Sequence, residues 1–461
     1  MKDEELLLRK SIPSLLWIYA RPSMFASLIT GLYGIIDGIF IGQKMGPPGI
    51  AAITLAFPVT TFLIAMGALL SIGTSIQVNR QLAAGHPDIA RTYIKKGLNL
   101  FLLLGLTLTA LTLLTPSIMG ILGKGTNQYV VDLAQSFISI LLFGSFLYMA
   151  PILTSDLLKN LGKPREAMFS MILGTLTTIA LDYLFIFRLD LEMVGAALAT
   201  LAGQLIALLV SLFFLRRCEI WASTPNIFHH PLRTYWDILK TGFSTFVIQI
   251  STMLLLLVHN RLFLYLGNEL YVSSFGIIGY GLMAYWMLTN GYAGGTQPII
   301  SYNQAIGEKG RVHNVLRLSL LLVTVFSILY SLLFYLFPHQ IIAIFSQHDV
   351  QLYNLTRTGF RLVMFALPFA GINVIAAMYF QAIGKARISL FLALGRVLFF
   401  MVPLIFLLPR LFQVQGIYLI VPLSEVLTAA LSILFLVRNL RSKTHYIPIR
   451  SPHELDDPPK A

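Results

Sequence analysis

Long apolar runs, broken at intervals by glycine, proline and clustered charge, set the pattern of this chain. A helix needs about 20 mostly apolar residues to cross some 30 Å of hydrocarbon. Twelve runs qualify, with limits near 12–43, 50–79, 94–122, 129–159, 165–188, 193–216, 236–265, 270–301, 312–344, 352–381, 388–409 and 416–438. The longer ones have residues to spare for tilting. The pattern therefore predicts an all-α integral membrane protein with twelve transmembrane helices.

The polar positions between the runs sort by sign. Basic residues gather in alternate loops: Lys2, Arg9 and Lys10 before the first span, Arg80, Arg91, Lys95 and Lys96 after the second, Lys159, Lys163 and Arg165 after the fourth, Arg216, Arg217, Arg233 and Lys240 after the sixth. Lys309, Arg311 and Arg317 follow the eighth, Lys385 and Arg387 the tenth, and Arg438, Arg441, Lys443, Arg450 and Lys460 the twelfth. The opposite loops offer Lys44, Lys124, Arg188 and Arg410, with Arg261 at a helix end. Cytoplasmic loops carry the excess of Lys and Arg, so both termini are expected in the cytoplasm. An even number of spans requires the same. The charged start, Met1 to Lys10, lacks a small-residue cleavage site and reads as a cytoplasmic arm, not a signal peptide.

The chain also repeats itself. Gly73-Thr74-Ser75 matches Gly295-Thr296-Gln297, Gly85 matches Gly307, and Leu161-Gly162-Lys163-Pro164-Arg165 matches Ile383-Gly384-Lys385-Ala386-Arg387, all at an offset of about 222 residues. Phe40-Ile41 and Phe263-Leu264 pair at nearly the same offset. Six helices per copy bring both copies in from the same side, a parallel repeat. The expected organisation is an arm (1–11), an N-lobe of six helices (12–217), a cytoplasmic linker (218–235), a C-lobe of six helices (236–440) and a cytoplasmic tail (441–461), with a cleft between two pseudo-symmetric lobes.

Composition narrows the function. Of 461 residues, 56% are hydrophobic and only 11% charged, against about 25% charged in a soluble domain. This excludes a soluble enzyme, a disordered chain and a disulfide-stapled domain; Cys218 is the sole cysteine. The net charge of +13 follows the loop pattern and gives no reason to expect nucleic acid. Neither a Gly-x-x-x-x-Gly-Lys-Ser/Thr loop nor a His-Glu-x-x-His cluster occurs, so no enzyme and no cofactor are expected.

The few acids inside spans then stand out. Asp37, Asp182 and Glu425 lie well within apolar runs, where a carboxylate costs about 2.5–3.5 kcal/mol. Such groups face a bundle interior or a wet cavity. Asp37 borders a stripe of Gly34, Gly38 and Gly42, spaced for close helix packing. Asp182 has Thr178 one turn earlier on its face. The sixth span places Thr200 beside the small residues Gly195, Ala199 and Gly203. Two buried carboxyls near one another resist joint ionisation, which suits them to load and release a proton.

The run Tyr33-Gly34-Ile35-Ile36-Asp37-Gly38-Ile39-Phe40-Ile41-Gly42, followed by Gly49-Ile50-Ala51-Ala52-Ile53-Thr54-Leu55-Ala56-Phe57-Pro58, resembles the first two helices of the multidrug and toxic compound extrusion (MATE) transporters, in their bacterial multidrug-exporter subgroup. Leu181-Asp182-Tyr183-Leu184-Phe185-Ile186-Phe187 and Gly295-Thr296-Gln297-Pro298-Ile299-Ile300-Ser301-Tyr302-Asn303 resemble further motifs of that family. The resemblance covers nearly the whole chain. It implies a monomeric, multi-pass protein of the bacterial plasma membrane that exchanges H⁺ or Na⁺ for amphipathic, often cationic organic compounds. By the same resemblance Asp37, Asp182 and Thr200 form an N-lobe cation-coupling site, able in some relatives to hold Na⁺. The family's Asn one turn before the second acid is replaced here by Thr178, which shifts the expectation toward H⁺.

A C-lobe acid found on the seventh helix of one subfamily is absent; His259 and Asn260 occupy that region. Arg396 and Glu425 stand on adjacent spans and read as an ion pair, structural or coupling. His259 either titrates near neutral pH or packs. Tyr280 and Trp286, with Phe57, Tyr285 and Tyr292, either line a cleft and stack on flat cations or anchor helix ends at the interface. Arg396, Glu425, His259, Asn260, Tyr280 and Trp286 are thus candidates for substrate contact or lobe coupling. The competing function is a flippase for a lipid-linked precursor, whose phosphates would need a cleft rich in Arg and Lys. Only Arg396, with Arg21, Arg357 and Arg361 nearer span ends, could supply it.

Overall fold

The computed structural model describes residues 10–83, 86–161, 163–218, 233–346 and 349–441. Most of the expected arm and linker, and the tail beyond 441, lie outside the described residues, which contain helices and no strands.

In chain order the helices are α1 (Ile12–Ala83), α2 (Pro87–Ala110), α3 (Thr115–Leu122), α4 (Gln128–Phe143), α5 (Ser145–Asn160), α6 (Pro164–Asp182) and α7 (Glu192–Arg216). There follow α8 (Arg233–Leu266), α9 (Glu269–Ala305), α10 (Lys309–Leu336), α11 (Pro338–Phe345), α12 (Val350–Val363), α13 (Leu367–Ala382), α14 (Ala386–Gly395) and α15 (Val402–Arg441). Wide π turns follow α6 (Tyr183–Arg188) and α14 (Arg396–Met401).

Two long helices hide breaks. In α1 the backbone leaves helical geometry at Gly46 (φ 64°, ψ −151°), a conformation open to glycine, and Pro47-Pro48 follows at once. In α15 the break falls at Gln413 (φ 51°). Helices α4 and α5 meet at 57° across Gly144. Two hydroxyl bonds tie the bend to α2: Thr109 Oγ1 donates to Phe143 O at 3.0 Å and Ser145 Oγ to Gly105 O at 3.1 Å. Among the described residues nine helices are long and apolar enough to cross a membrane, ten if the bent pair counts as one. Two of those ten contain the breaks at Gly46 and Gln413, which is consistent with twelve crossings. The ninth expected run ends earlier than its hydropathy suggests. Pro338 denies the helical conformation to Phe337, and α10 stops at Leu336.

Outward-facing residues are apolar. Leu103 and Leu106 of α2, Leu113 just beyond it, Leu329 of α10 and Phe406 of α15 are all exposed. A water-soluble chain would hide such a surface; hydrocarbon accepts it.

Contacts group the chain into two units, one of Ile29–Gly281 with Pro338–Gly359, the other of the residues up to Leu28, Leu282–Phe337 and the residues from Phe360 on. The chain passes between units inside α1, after Leu28, and inside α9, after Gly281. Within the first unit α6 packs along α7, and α7 also covers α4 and α5. The start of α8 is tied to α2 there by Tyr93, whose hydroxyl donates to Asp237 at 3.1 Å, and by Lys96, whose ammonium sits 4.4 Å from the Tyr235 ring centroid. The core of the second unit gathers Leu15, Leu16, Ile299, Ile300, Val315, Val323, Ile375 and Phe380.

The repeated glycines now acquire a physical reason. In one unit a Cβ on Gly73 would run into the Ile238 carbonyl of α8, and one on Gly242 into the Leu69 carbonyl. In the other, a Cβ on Gly295 would meet the Tyr19 carbonyl and Ala20 Cα, and one on Gly291 the Ser23–Met24 backbone. Gly73 and Gly295 are repeat partners, each the point where a helix end meets a neighbouring backbone.

Overpacking such contacts costs about 1–3 kcal/mol. Gly73→Ala and Gly295→Ala should each lower the thermal midpoint of the detergent-solubilised protein. Gly310→Ala, at a helical site with nothing within 4 Å of the added carbon, should leave it unchanged. Equal midpoints for all three variants would refute the close-contact reading.

Candidate functional site

Asp37 sits on the α1 segment that precedes the Gly46 break, and Asp182 ends α6 where the π turn begins. Both belong to the unit of Ile29–Gly281. Their exposures are 5% and 0%. Asp37 Oδ1 and both carboxylate oxygens of Asp182 are buried and accept no hydrogen bond among the described residues. Ion pairs formed by other residues include Lys44–Asp190, Arg91–Asp88, Lys159–Asp156 and Arg396–Glu425; neither Asp37 nor Asp182 has such a basic partner among the described residues.

The helices around them explain how the two acids are held. Phe40, one turn beyond Asp37, meets Tyr183 edge-on at 6.4 Å and Phe187 at 5.5 Å. These rings link α1 to the π turn that Asp182 opens. Thr178 is buried, donates to Gly174 O at 3.1 Å, and points at α7 where Gly203 lacks a side chain. A Cβ on Gly203 would overlap the Thr178 hydroxyl. Thr200 is buried on α7 one turn before Gly203.

A further group joins the acids. The phenol end of Tyr280, from α9, lies over the α-carbon of Gly38, so close that a Cβ there would overlap it. Phe345 stacks on its ring at 5.3 Å and Phe57 meets it edge-on at 5.8 Å. Its hydroxyl is buried with no partner among the described residues. The sequence marks Tyr280 as an aromatic candidate but carries no signal that it belongs beside Asp37.

His259 and Asn260 pack elsewhere in this unit. His259 Nδ1 faces Leu255 O at 2.7 Å and its ring stacks on Phe275 at 5.4 Å; Asn260 Nδ2 donates to Thr54 O at 2.8 Å. No group of three or more His, Cys, Asp or Glu able to hold a metal occurs among the described residues.

The remaining candidates meet in the other unit. Arg396 Nη1 donates to Glu425 Oε1 at 2.6 Å, and the guanidinium carbon stands 5.4 Å from the Trp286 ring centroid. Asn373 Nδ2 donates to Glu425 Oε2 at 2.8 Å and to its carbonyl at 3.0 Å, while Ser432 Oγ donates to Asn373 Oδ1 at 2.9 Å. Sequence reading passes over Asn373 and Ser432, although an Asn inside the run Gly371-Ile372-Asn373-Val374 is itself an intramembrane polar signal.

Comparison with known proteins agrees with this architecture. The sequence profile of the MatE family matches residues 22–184 and 242–407, well over half of the chain. The multidrug export protein MepA of Staphylococcus saprophyticus is 26% identical over 449 residues, covering 95% of this chain and 97% of that protein. MepA of Staphylococcus haemolyticus is 28% identical over 459 residues, covering 96% and 97%. Among solved structures, the inward-facing conformation of a multidrug resistance MATE family transporter of the MOP superfamily aligns with a TM-score of 0.79 at 24% identity, over 89% of this chain and 94% of that one. The MATE multidrug transporter DinF-BH aligns at 0.71 with 27% identity, over 93% and 96%. With its apolar helices, its repeat and this match in view, the chain belongs to the MatE family of multi-pass membrane transporters.

Proposed function

We propose that the protein is a secondary-active multidrug exporter that takes up protons in exchange for amphipathic, cationic organic compounds. The observation that carries this reading is the pair Asp37 and Asp182, two buried carboxyls with no basic partner among the described residues. A carboxyl in that position is held neutral by a proton or compensated by a cation, and its occupancy follows the gradient on whichever side it faces. The multidrug-export names of the relatives support the substrate class. We place the protein in a bacterial plasma membrane with both termini in the cytoplasm, on the strength of the basic-residue pattern, as a monomer among lipids.

In this mechanism a proton reaching Asp37 removes a charge one residue from the Gly38–Tyr280 contact. That contact has no slack, so a change in the carboxyl's hydrogen bonding is transmitted to Tyr280 and to the packing of α1 on α9. Phe40, packed against Tyr183 and Phe187, ties α1 to the π turn that Asp182 opens. Thr178 and Thr200 supply hydroxyl oxygens. With Asp37 and Asp182 they also offer a set of oxygen ligands that a Na⁺ ion could use, and the coupling ion is therefore the first thing to test. Alternating access then expels the organic cation and returns the proton inward. One proton exchanged for one monovalent organic cation moves no net charge, so the pH gradient supplies the drive, about 1.4 kcal/mol or tenfold accumulation per pH unit.

Two experiments test the proposal. In drug-sensitive bacteria, Asp37→Asn and Asp182→Asn should each reduce ethidium export to the level of cells that lack the protein, with membrane expression unchanged. Undiminished export would remove these acids from the coupling site. In proteoliposomes, an imposed pH gradient with no Na⁺ present should drive ethidium uptake into the vesicles. Transport driven by a Na⁺ gradient at uniform pH, and by nothing else, would replace the proton with Na⁺ in the scheme.

A further inference from the structure

The acid pair leaves one polar cluster unused: Arg396, Glu425, Asn373, Ser432 and Trp286, all in the unit that contains α10 and α13–α15. We propose that this cluster is a second binding site, built for a planar organic cation, which Arg396 fills as an internal occupant and which a cationic ligand takes by displacing it. The inference rests on the reading of the protein as an exporter of organic cations, and adds the residues that would hold one.

The chemistry comes first. A carboxylate beside an aromatic face is a receptor for a flat cation, joining ionic hydrogen bonding to cation–π attraction. Glu425 and Trp286 present that combination, and the flat cation now between them is the Arg396 guanidinium.

The two sides of the pair are held very differently. Glu425 is fixed without help from Arg396. Asn373 bonds both its carboxylate and its carbonyl, and Ser432 orients the Asn373 amide. The receptor therefore keeps its shape when the arginine leaves. Arg396 is bonded to Glu425 through a single nitrogen at 2.6 Å, not through the two-pronged fork that makes arginine–carboxylate pairs tight. Its Nε is buried with no partner among the described residues. The side chain is 32% exposed, against 3% for Glu425, so the arginine occupies the open side of the pair. It also begins the π turn Arg396–Met401, the kind of widened turn that recurs at functional sites in helices.

A purely structural role accounts for less. Apolar residues of similar volume commonly replace a buried ion pair without loss of stability. They would not need the Asn373–Ser432 buttress beneath one partner alone.

The test is ethidium binding to the purified full-length protein, read by dye fluorescence. Arg396→Gln should bind ethidium about tenfold more tightly than the wild type, because the ligand no longer competes with an internal cation. Glu425→Gln should bind it less tightly. The gain in Arg396→Gln should vanish when Glu425→Gln or Trp286→Leu is added. If Arg396→Gln does not fold, Arg396→Lys keeps the charge but gives up the planar face over Trp286, and should tighten binding about threefold. A folded Arg396 variant that binds ethidium no better than the wild type overturns the displacement site, and ethidium transport by the wild type reconstituted into vesicles leaves the exporter reading standing. Conversely, a wild type that does not transport ethidium sinks the exporter reading. Tightening that depends on Glu425 and Trp286 would support the site even then.

Discussion

Across some 30 Å of hydrocarbon no water is at hand to bond an amide or a carboxylate. Every polar atom in a span must find its partner within the protein, and the architecture follows from that demand. Helices satisfy their own backbone. Hydroxyls inside them mostly bond back to the preceding turn, as Thr54 does to Ile50, Thr178 to Gly174, Ser327 to Val323 and Thr428 to Ser424. Such a bond satisfies the hydroxyl proton within the helix and leaves the oxygen able to accept. Where helices bend, as around Gly144, the hydroxyls of Thr109 and Ser145 bond across to the neighbouring helix.

The same demand sorts the acids. Asp156 accepts from Ser71 at 2.6 Å and from Lys159 at 3.1 Å, Asp237 from Tyr93, and Glu425 from Arg396 and Asn373. Asp37 and Asp182 are left with buried oxygens that no described residue satisfies. An acid with partners is compensated whatever the solution outside contains. On the proposed function, an acid without them takes its compensation from a mobile ion, and so becomes a place where a gradient can act on the fold. The proximity of Tyr280 to Gly38 gives that action somewhere to go, because a contact with no free space cannot absorb a change beside it.

Much of this is legible in the chain itself. Apolar length locates the spans, and Gly46-Pro47-Pro48 marks the break in α1. The cost of a charge in lipid is enough to single out Asp37, Asp182 and Glu425 from the hydropathy pattern alone. Other features are not legible, for a physical reason. A helix face that meets another helix and one that meets lipid are equally apolar. Nothing in the sequence therefore announces that α1 changes unit after Leu28, or α9 after Gly281. Tyr280 looks like any aromatic residue near a glycine-rich helix until its ring is found over Gly38. Asn373 is open to the same reasoning as the buried acids, but its neutral amide carries a weaker cost and is easily passed over.

The repeat makes the contrast between the units informative. Gly73 and Gly295, at the same place in the two copies, both let a backbone approach where a side chain would collide. Sterics of that kind do not depend on charge, so they survive while the polar chemistry around them diverges. One unit carries two acids with no described base; the other carries an acid matched to a base. A matched pair is indifferent to membrane voltage as a whole, since it carries no net charge for the field to act on. An unmatched acid is not, because each proton or cation it binds moves charge through the field. The same scaffold can therefore hold two unmatched acids in one copy and a matched pair in the other.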